Sequence, residues 1–196
     1  LAEAGKGVYR LERYAIEPLV RDVVTDGNIA NLDLVADALK RAHKRLGSRN
    51  RNVAVALPAA MVITKKIIVP SGQREEDLEL LVEAEANQYI PYPLDEISLD
   101  FEVLGPSPRN ADMVDILLAA SKNENVESRQ DALESLGLKA KVVDVESFAI
   151  ANAFELIRER EGIRSTETIG IFDIGFDLST LLILRNGRVV YTRDHP

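Results

Sequence analysis

Residues 73–103 read QREEDLELLVEAEANQYIPYPLDEISLDFEV and decide the class of fold. The first half predicts an amphipathic helix over 73–89 because its apolar residues recur at helical spacing. The members of that stripe are Leu78, Leu81, Val82, Glu85 and Tyr89, of which four are apolar or aromatic. Pro91 and Pro93 end the helix because proline has no backbone N–H. From Ile97 to Val103 apolar and polar residues alternate, which predicts a half-buried strand.

The segments on both sides also alternate between strand and helix patterns. Tyr9 to Ala15 predicts a short strand, and Leu32 to Leu46 predicts a helix that Asn31 caps and Gly47 ends. The other predicted strands cover 53–57, 62–69, 113–120, 140–145, 168–173, 178–184 and 188–192. Two more helices are predicted at 121–136 and from Ser147 onward. The order β-α-β-β-α-β-β-α-β-α-β-β-β indicates a mixed α/β or α+β fold.

Turns and helix ends carry their own local signals. Residues 105–110, with two prolines and a glycine, predict a turn after the alternating strand. Ser121 and Glu124 have the spacing of a capping box, and Ser147 is a candidate cap of the next helix. The Asn-Gly pair at 186–187 predicts a tight hairpin between the last two strands.

Composition excludes several functional classes. The chain has 196 residues, a net charge of -8 and no cysteine. An acidic balance argues against binding a nucleic-acid backbone, which requires clustered positive charge. Disulfides and thiolate metal sites are excluded, and no apolar run approaches the length of about 18 residues that spans a bilayer. We therefore expect a cytoplasmic protein. Its two histidines and the acidic residues of the 73–89 helix predict neither a metal site nor a catalytic centre.

Residues 172–180, FDIGFDLST, form the most informative local motif. Asp173 at a strand end can hold a Mg²⁺-bound water, Gly175 lets backbone amides approach an oxyanion, and Ser179 or Thr180 can donate a hydrogen bond. The motif therefore predicts a phosphate-binding turn. The alternative is a plain hairpin whose turn contains Asp and Gly.

The helix exit at residues 89–94, YIPYPL, suggests a surface for a partner. Tyr89 and Tyr92, held by two prolines, can form a rigid aromatic ledge that anchors a peptide. The alternative is a packed corner with both hydroxyls in water.

Several longer stretches together resemble the PilM family of type IV pilus assembly proteins. They are VALPA at 55–59, ITKKI at 63–67, EAEANQYIPYPL at 83–94, LDFEVLGP at 99–106, KAKVVDVE at 139–146, DIG at 173–175 and GRVVYTR at 187–193. Their order and spacing also match, so the resemblance covers essentially the whole chain.

The resemblance implies an actin/Hsp70-like (ribonuclease H-like) fold related to the cell-division protein FtsA. In that fold residues 1–52 are part of the first lobe, and 53–145 are an inserted FtsA-like (SHS2) subdomain. Residues 146–196 supply the crossing helix and the start of the second lobe, including the phosphate-binding hairpin. The chain starts without methionine and ends after a hairpin, so we expect a fragment truncated at both ends.

The resemblance also implies a function. Members are cytoplasmic scaffolds, peripheral at the inner membrane through partners, that bind the N-terminal tail of PilN and link it to motor ATPases. We place Tyr89 and Tyr92 at the groove for that tail. Members bind ATP and Mg, and Asp173, Gly175 and Thr180 correspond to their second phosphate loop.

The first phosphate loop would precede Leu1, so we expect little or no ATP bound to this fragment. No catalytic residue is predicted, and any nucleotide would be a structural ligand. The alternatives are an ATP-hydrolysing enzyme of the same fold and a filament-forming protein similar to FtsA.

Overall fold

The computed structural model describes residues 2–5, 8–164, 166–175 and 178–195. The strands are β1 (Ala2–Gly5), β2 (Val8–Arg10), β3 (Val24–Thr25), β4 (Asn28–Ile29), β5 (Asn52–Leu57), β6 (Ile63–Pro70), β7 (Ile97–Ser107), β8 (Asn110–Lys122), β9 (Lys139–Val145), β10 (Thr168–Ile174), β11 (Ser179–Arg185) and β12 (Arg188–His195). The helices are α1 (Leu32–Leu46), α2 (Glu75–Tyr89), α3 (Asn123–Glu134) and α4 (Glu146–Glu161). Strands pair as β1-β2, β3-β4, β5-β9, β6-β8-β7 and β10-β11-β12.

The contacts divide the chain into two compact units. One comprises the described parts of Leu1–Val55 and Glu127–Val143, and the other those of Ala56–Val126 and Asp144–Pro196. The predicted division into a first lobe, an inserted subdomain and the start of a second lobe refers to the family fold and stays a prediction.

The first unit is organised around α1. Its core joins Val23 and Val35 to Ala132, with Ile29 and Leu39 packed against them. The Asn31 side chain accepts a hydrogen bond from the Leu34 amide at 3.0 Å, which confirms the predicted cap. Gly47 ends the helix in the left-handed conformation, φ 60°, as predicted.

The predicted strand from Tyr9 to Ala15 is wrong beyond its first residues. β2 ends at Arg10, and residues 11–20 have no regular secondary structure. This segment is held by side chains instead of by strand pairing: Arg13 donates to the Gly47 carbonyl at 2.8 Å. Glu17 forms ion pairs with Arg41 and Arg45 of α1. Bonds to a helix end cannot be read from an apolar pattern, which is why the prediction failed.

In the second unit, α2 covers one face of the sheet β6-β8-β7. Buried side chains from all four elements form the largest apolar cluster. They are Ile67, Val69, Val82, Ala86, Ile90, Ile97, Ile116, Leu118 and Ala120. The alternation predicted for residues 97–103 is confirmed from Ile97 to Glu102 and fails at Val103, which is 47% exposed. Ile116 and Leu118 of the central strand β8 are completely buried.

The predicted turn at residues 105–110 is much shorter than expected. β7 continues through Gly105 and Pro106 to Ser107, and Pro108 and Arg109 alone make the turn. The pairing shifts between Val103 and Gly105, a bulge that the positive φ of Gly105, 118°, accommodates. Pro106 is tolerated because β7 is an edge strand in this sheet, where one side needs no donor.

Two predicted helix caps are also wrong. Ser121 lies in β8, and its hydroxyl donates to the Met61 carbonyl at 2.8 Å, so it forms no capping box with Glu124. Helix α4 begins at Glu146, which places Ser147 in its first turn, 4% exposed. In the first case the strand β8 continues past the predicted cap, and in the second the helix begins before it.

The sheet β10-β11-β12 packs α4 on one face. Leu182 and Leu184 join Ala151 of the helix in a third apolar cluster. Asn186 and Gly187 both have positive φ, 54° and 72°, in the turn between β11 and β12, which confirms the predicted Asn-Gly hairpin. β12 has a bulge at Val190, because Ile183 pairs with Tyr191 while Leu184 pairs with Val189.

Candidate functional site

The second unit contains a groove of about 490 Å³. Its walls come from the segment between β5 and β6, from β6 and β8, from the start of α4 and from β12. The lining residues are Ala59, Ala60, Val62, Ile63, Thr64, Leu117, Val145, Ser147, Phe148, Val189, Val190, Tyr191, Thr192 and Asp194. These residues belong to four separate stretches of sequence, so tertiary packing creates the groove.

Strand edges form part of the groove wall. In the sheets of the described chain, β12 pairs only with β11 and β6 pairs only with β8, so each has one unpaired edge. Thr192 and Asp194 share the face of the sheet that bears Leu182, whereas Tyr191 belongs to the opposite face. Because residues of both faces line the groove, β12 presents its edge to it. An edge offers unpaired N–H and C=O groups to an extended chain.

Most of the residues that line the groove are apolar, namely aliphatic residues and Phe148, but the surface that they leave accessible is more polar than apolar. Hydroxyl groups come from Thr64, Ser147, Tyr191 and Thr192. Asp194 is the charged residue among those that line it. The carboxylate is oriented by Thr180, whose hydroxyl donates to Asp194 Oδ1 at 2.8 Å.

The three predicted phosphate-binding residues lie at the end of the β10-β11 hairpin where the two strands are connected. Asp173 pairs with Thr180, and Thr180 pairs with Asp194, so these three side chains lie in one row across the sheet. The Gly175 amide donates to the Leu178 carbonyl at 2.9 Å. The Gly175 amide and the Thr180 hydroxyl, one of the two predicted hydroxyl donors, therefore already have acceptors within the sheet. Phe176 and Asp177, which belong to the predicted turn, lie outside the described residues.

Gly175 is sterically required in this turn. A Cβ atom built on it would lie 2.7 Å from the Leu178 carbonyl oxygen, closer than nonbonded atoms allow. The glycine thus serves the hairpin itself through close backbone approach. The assignment of Asp173, Gly175 and Thr180 to phosphate remains a prediction.

Tyr89 and Tyr92 lie at the predicted helix exit and expose 46% and 38% of their surface. Lys65 Nζ lies 4.6 Å from the centre of the Tyr89 ring, and Lys122 Nζ lies 5.0 Å from that of Tyr92. Both distances are typical of cation–π contacts. Neither tyrosine is among the residues that line the groove, and their role in binding a peptide remains a prediction.

An ion pair between a buried carboxylate and a half-exposed lysine was not foreseen from the sequence. Lys66 Nζ lies 2.5 Å from Asp115 Oδ2, and the Asp115 side chain is only 7% exposed. The hydrogen bond from Lys66 lowers the pKa of Asp115, although burial acts in the opposite direction. The available signal was one aspartate inside the apolar stretch 113–120, which requires a partner when that strand is buried.

Two negative findings apply to the described residues. They contain no group of three or more His, Cys, Asp or Glu residues placed to hold a metal ion. No helix among them is long and apolar enough to cross a membrane.

Comparison with known proteins finds similar proteins both by family model and by structure. The family model described as type IV pilus assembly protein PilM matches residues 1–196. A chain of the PilM-PilN type IV pilus biogenesis complex is 28% identical and superposes with a TM-score of 0.75. The match covers 90% of this chain and 52% of that one, so this chain spans about half the length of its relative.

A second solved structure shares the fold at lower identity. It is the cytoplasmic domain of EpsL, an inner membrane component of the type II secretion system of Vibrio cholerae. The identity is 16%, the TM-score is 0.52, and the match covers 90% of this chain and 63% of that one. With the PilM match, this similarity confirms the predicted fold class, mixed α/β of the actin-like type.

Proposed function

The chain belongs to the family of the type IV pilus assembly protein PilM, and from this premise we propose that it is a scaffold that binds the N-terminal cytoplasmic tail of PilN in the groove described above. PilM and PilN occur together in the complex whose PilM-like chain this protein resembles. The proposed role has no catalytic step. Binding the tail of a membrane protein would keep the scaffold at the inner membrane, with motor ATPases as further partners.

The unpaired edge of β12 beside the groove is the observation that supports this proposal most directly. An extended peptide can add to such an edge through main-chain hydrogen bonds, while its alternate side chains enter the groove. The groove volume of about 490 Å³ lies within the usual range of roughly 300–1,000 Å³ for ligand sites. A short extended segment fits these features better than a flat protein surface does.

Nucleotide belongs to the proposal only as a structural ligand of the family. Mg²⁺ with ATP would supply charge neutralisation between phosphate and carboxylate, and Asp173 is the exposed carboxylate at the turn. The Gly175 amide and the Thr180 hydroxyl already have acceptors. Because these two donors of the described residues are already engaged, we propose that this chain binds ATP weakly or not at all. Calorimetry with ATP and Mg²⁺ tests this, and micromolar affinity would refute it.

Blocking the groove tests the peptide proposal. Ala60 is exposed and lines the groove, so Ala60→Trp fills the groove without disturbing a core. The matched control is Ala84→Trp, which places the same side chain on an exposed position of α2. We expect fluorescence anisotropy with a labelled peptide of the PilN tail to show at least about a tenfold weaker Kd for Ala60→Trp, or about 1.4 kcal/mol, and no change for Ala84→Trp. Equal affinities of the two variants would contradict the groove as the binding site.

A further inference from the structure

We propose that Asp194 makes the groove selective for a peptide that carries a basic side chain next to its apolar residues. This inference rests on the proposed function, because it concerns the ligand of the same groove. It assigns a specificity-determining role to a residue that no motif in the sequence indicated.

The position of Asp194 gives the first argument. Thr192 and Asp194 lie two residues apart on the same face of the sheet, on the strand whose edge borders the groove. A peptide that runs along this edge would pass Thr192 and then reach the carboxylate about 7 Å further on, at about 3.4 Å per residue. The basic residue would therefore lie at the end of the bound segment that faces the end of β12.

The hydrogen bonding of Asp194 gives the second argument. Oδ1 accepts from the Thr180 hydroxyl at 2.8 Å, which fixes the direction of the carboxylate. Within the part of the chain that the structure describes, Asp194 has no other hydrogen bond and no ion pair. Its other oxygen is thus available to a ligand.

The cost of desolvation gives the third argument. An apolar peptide that covered Asp194 would remove water from a charged group, which is unfavourable unless a donor replaces the water. A lysine or arginine replaces it with a charge-assisted hydrogen bond, whereas an acidic residue adds repulsion. The same carboxylate therefore favours basic peptides and rejects neutral or acidic ones, so it acts on specificity in both directions.

The experiment is a binding cycle with the PilN tail peptide and a second peptide in which every lysine and arginine is replaced by glutamine. Asp194→Asn keeps an oxygen that can accept from Thr180 but removes the charge. The control Asp112→Asn removes the same charge from an exposed position of β8 that does not line the groove. Circular dichroism verifies that each variant is folded.

We expect Asp194→Asn to weaken binding of the natural peptide about tenfold and Asp112→Asn to leave it unchanged. The glutamine peptide should bind the unaltered chain about tenfold more weakly, and Asp194→Asn should not weaken it further. Equal affinity of the unaltered chain for both peptides would overturn the role of Asp194 even if the variant failed to fold. Failure of the unaltered chain to bind the natural peptide would refute the proposed function itself, so the two failures are distinguishable.

Discussion

Replacing Gly175 with alanine should destabilise the β10-β11 hairpin, although the same change stabilises many strands. Gly175 does not have a positive φ, so backbone conformation alone permits alanine. The obstacle is the Leu178 carbonyl oxygen, 2.7 Å from the position of the added Cβ atom. The turn must open to accept the methyl group, and the bond from the Gly175 amide to that carbonyl is then stretched or lost.

The magnitude follows from three opposing contributions. Losing the hydrogen bond costs about 0.5–1.5 kcal/mol, and forcing a methyl group into a filled space costs roughly 1–3 kcal/mol. Restricting the unfolded chain returns about 0.4–1 kcal/mol. The free energy of unfolding should therefore fall by about 0.5–4 kcal/mol.

Gly170→Ala in the same strand is the matched control. Its Cβ atom would lie 3.7 Å from Ile183 Cδ1, an ordinary contact, and its φ is not positive. We expect this variant to be about 0.5 kcal/mol more stable, because glycine inside a strand is unfavourable. Urea titration followed by circular dichroism gives both values, and hydrogen exchange at the Gly175 position reports the local opening. A Gly175→Ala protein as stable as the unaltered chain would refute the steric reasoning.

Three further changes test other parts of the structure. Lys66→Met should lower stability at pH 7, because it leaves the Asp115 carboxylate buried without its partner. The pKa of Asp115 is lowered in the folded state, so the ion pair stabilises the fold at neutral pH. This stabilisation is lost as the pH falls below about 4 and the carboxylate is protonated. The urea midpoints of the unaltered chain and of Lys66→Met should therefore converge in acid. A difference between these midpoints that stays constant at all pH values would contradict the pairing. Asn31→Ala should lower the free energy of unfolding by about 1 kcal/mol, because it removes the cap of α1. Asn31→Asp should keep the cap and the stability, and thermal unfolding of both variants measures the difference. Ile116→Ala, at a fully buried position, should cost about 2–5 kcal/mol. Ile68→Ala, 40% exposed in the same sheet, should cost much less, and similar urea midpoints for the two would argue against the described core.

The elements that the sequence predicted well have their determinants nearby in the chain. The helix α1 is fixed by Asn31 at one end and Gly47 at the other, and both residues act within their own turn. The Asn-Gly turn at 186–187 is equally local. Predictions from such local signals hold in the folded protein because no distant partner is needed to define these caps and turns.

The wrong predictions share a dependence on distant neighbours. Whether Gly105 and Pro106 end a strand or continue it depends on β8, which pairs with one side of β7 while the other side stays an edge. Whether residues 9–15 form a strand depends on finding a partner strand, and side-chain bonds to α1 hold this segment instead. Local residue preferences cannot resolve either case.

The chemistry of the candidate site also depends on a distant residue that the local motif does not reveal. The 172–180 motif identified Thr180 as a donor, but its acceptor in the structure lies fourteen residues away on the next strand. A hydroxyl has a single proton, so donation to Asp194 and donation to a phosphate exclude each other. The register of β11 and β12 therefore decides what the motif does, because it directs Thr180 toward the groove carboxylate. The hairpin and the groove are thus linked by one hydrogen bond, in which Thr180, predicted to bind phosphate, orients the Asp194 carboxylate that lines the groove.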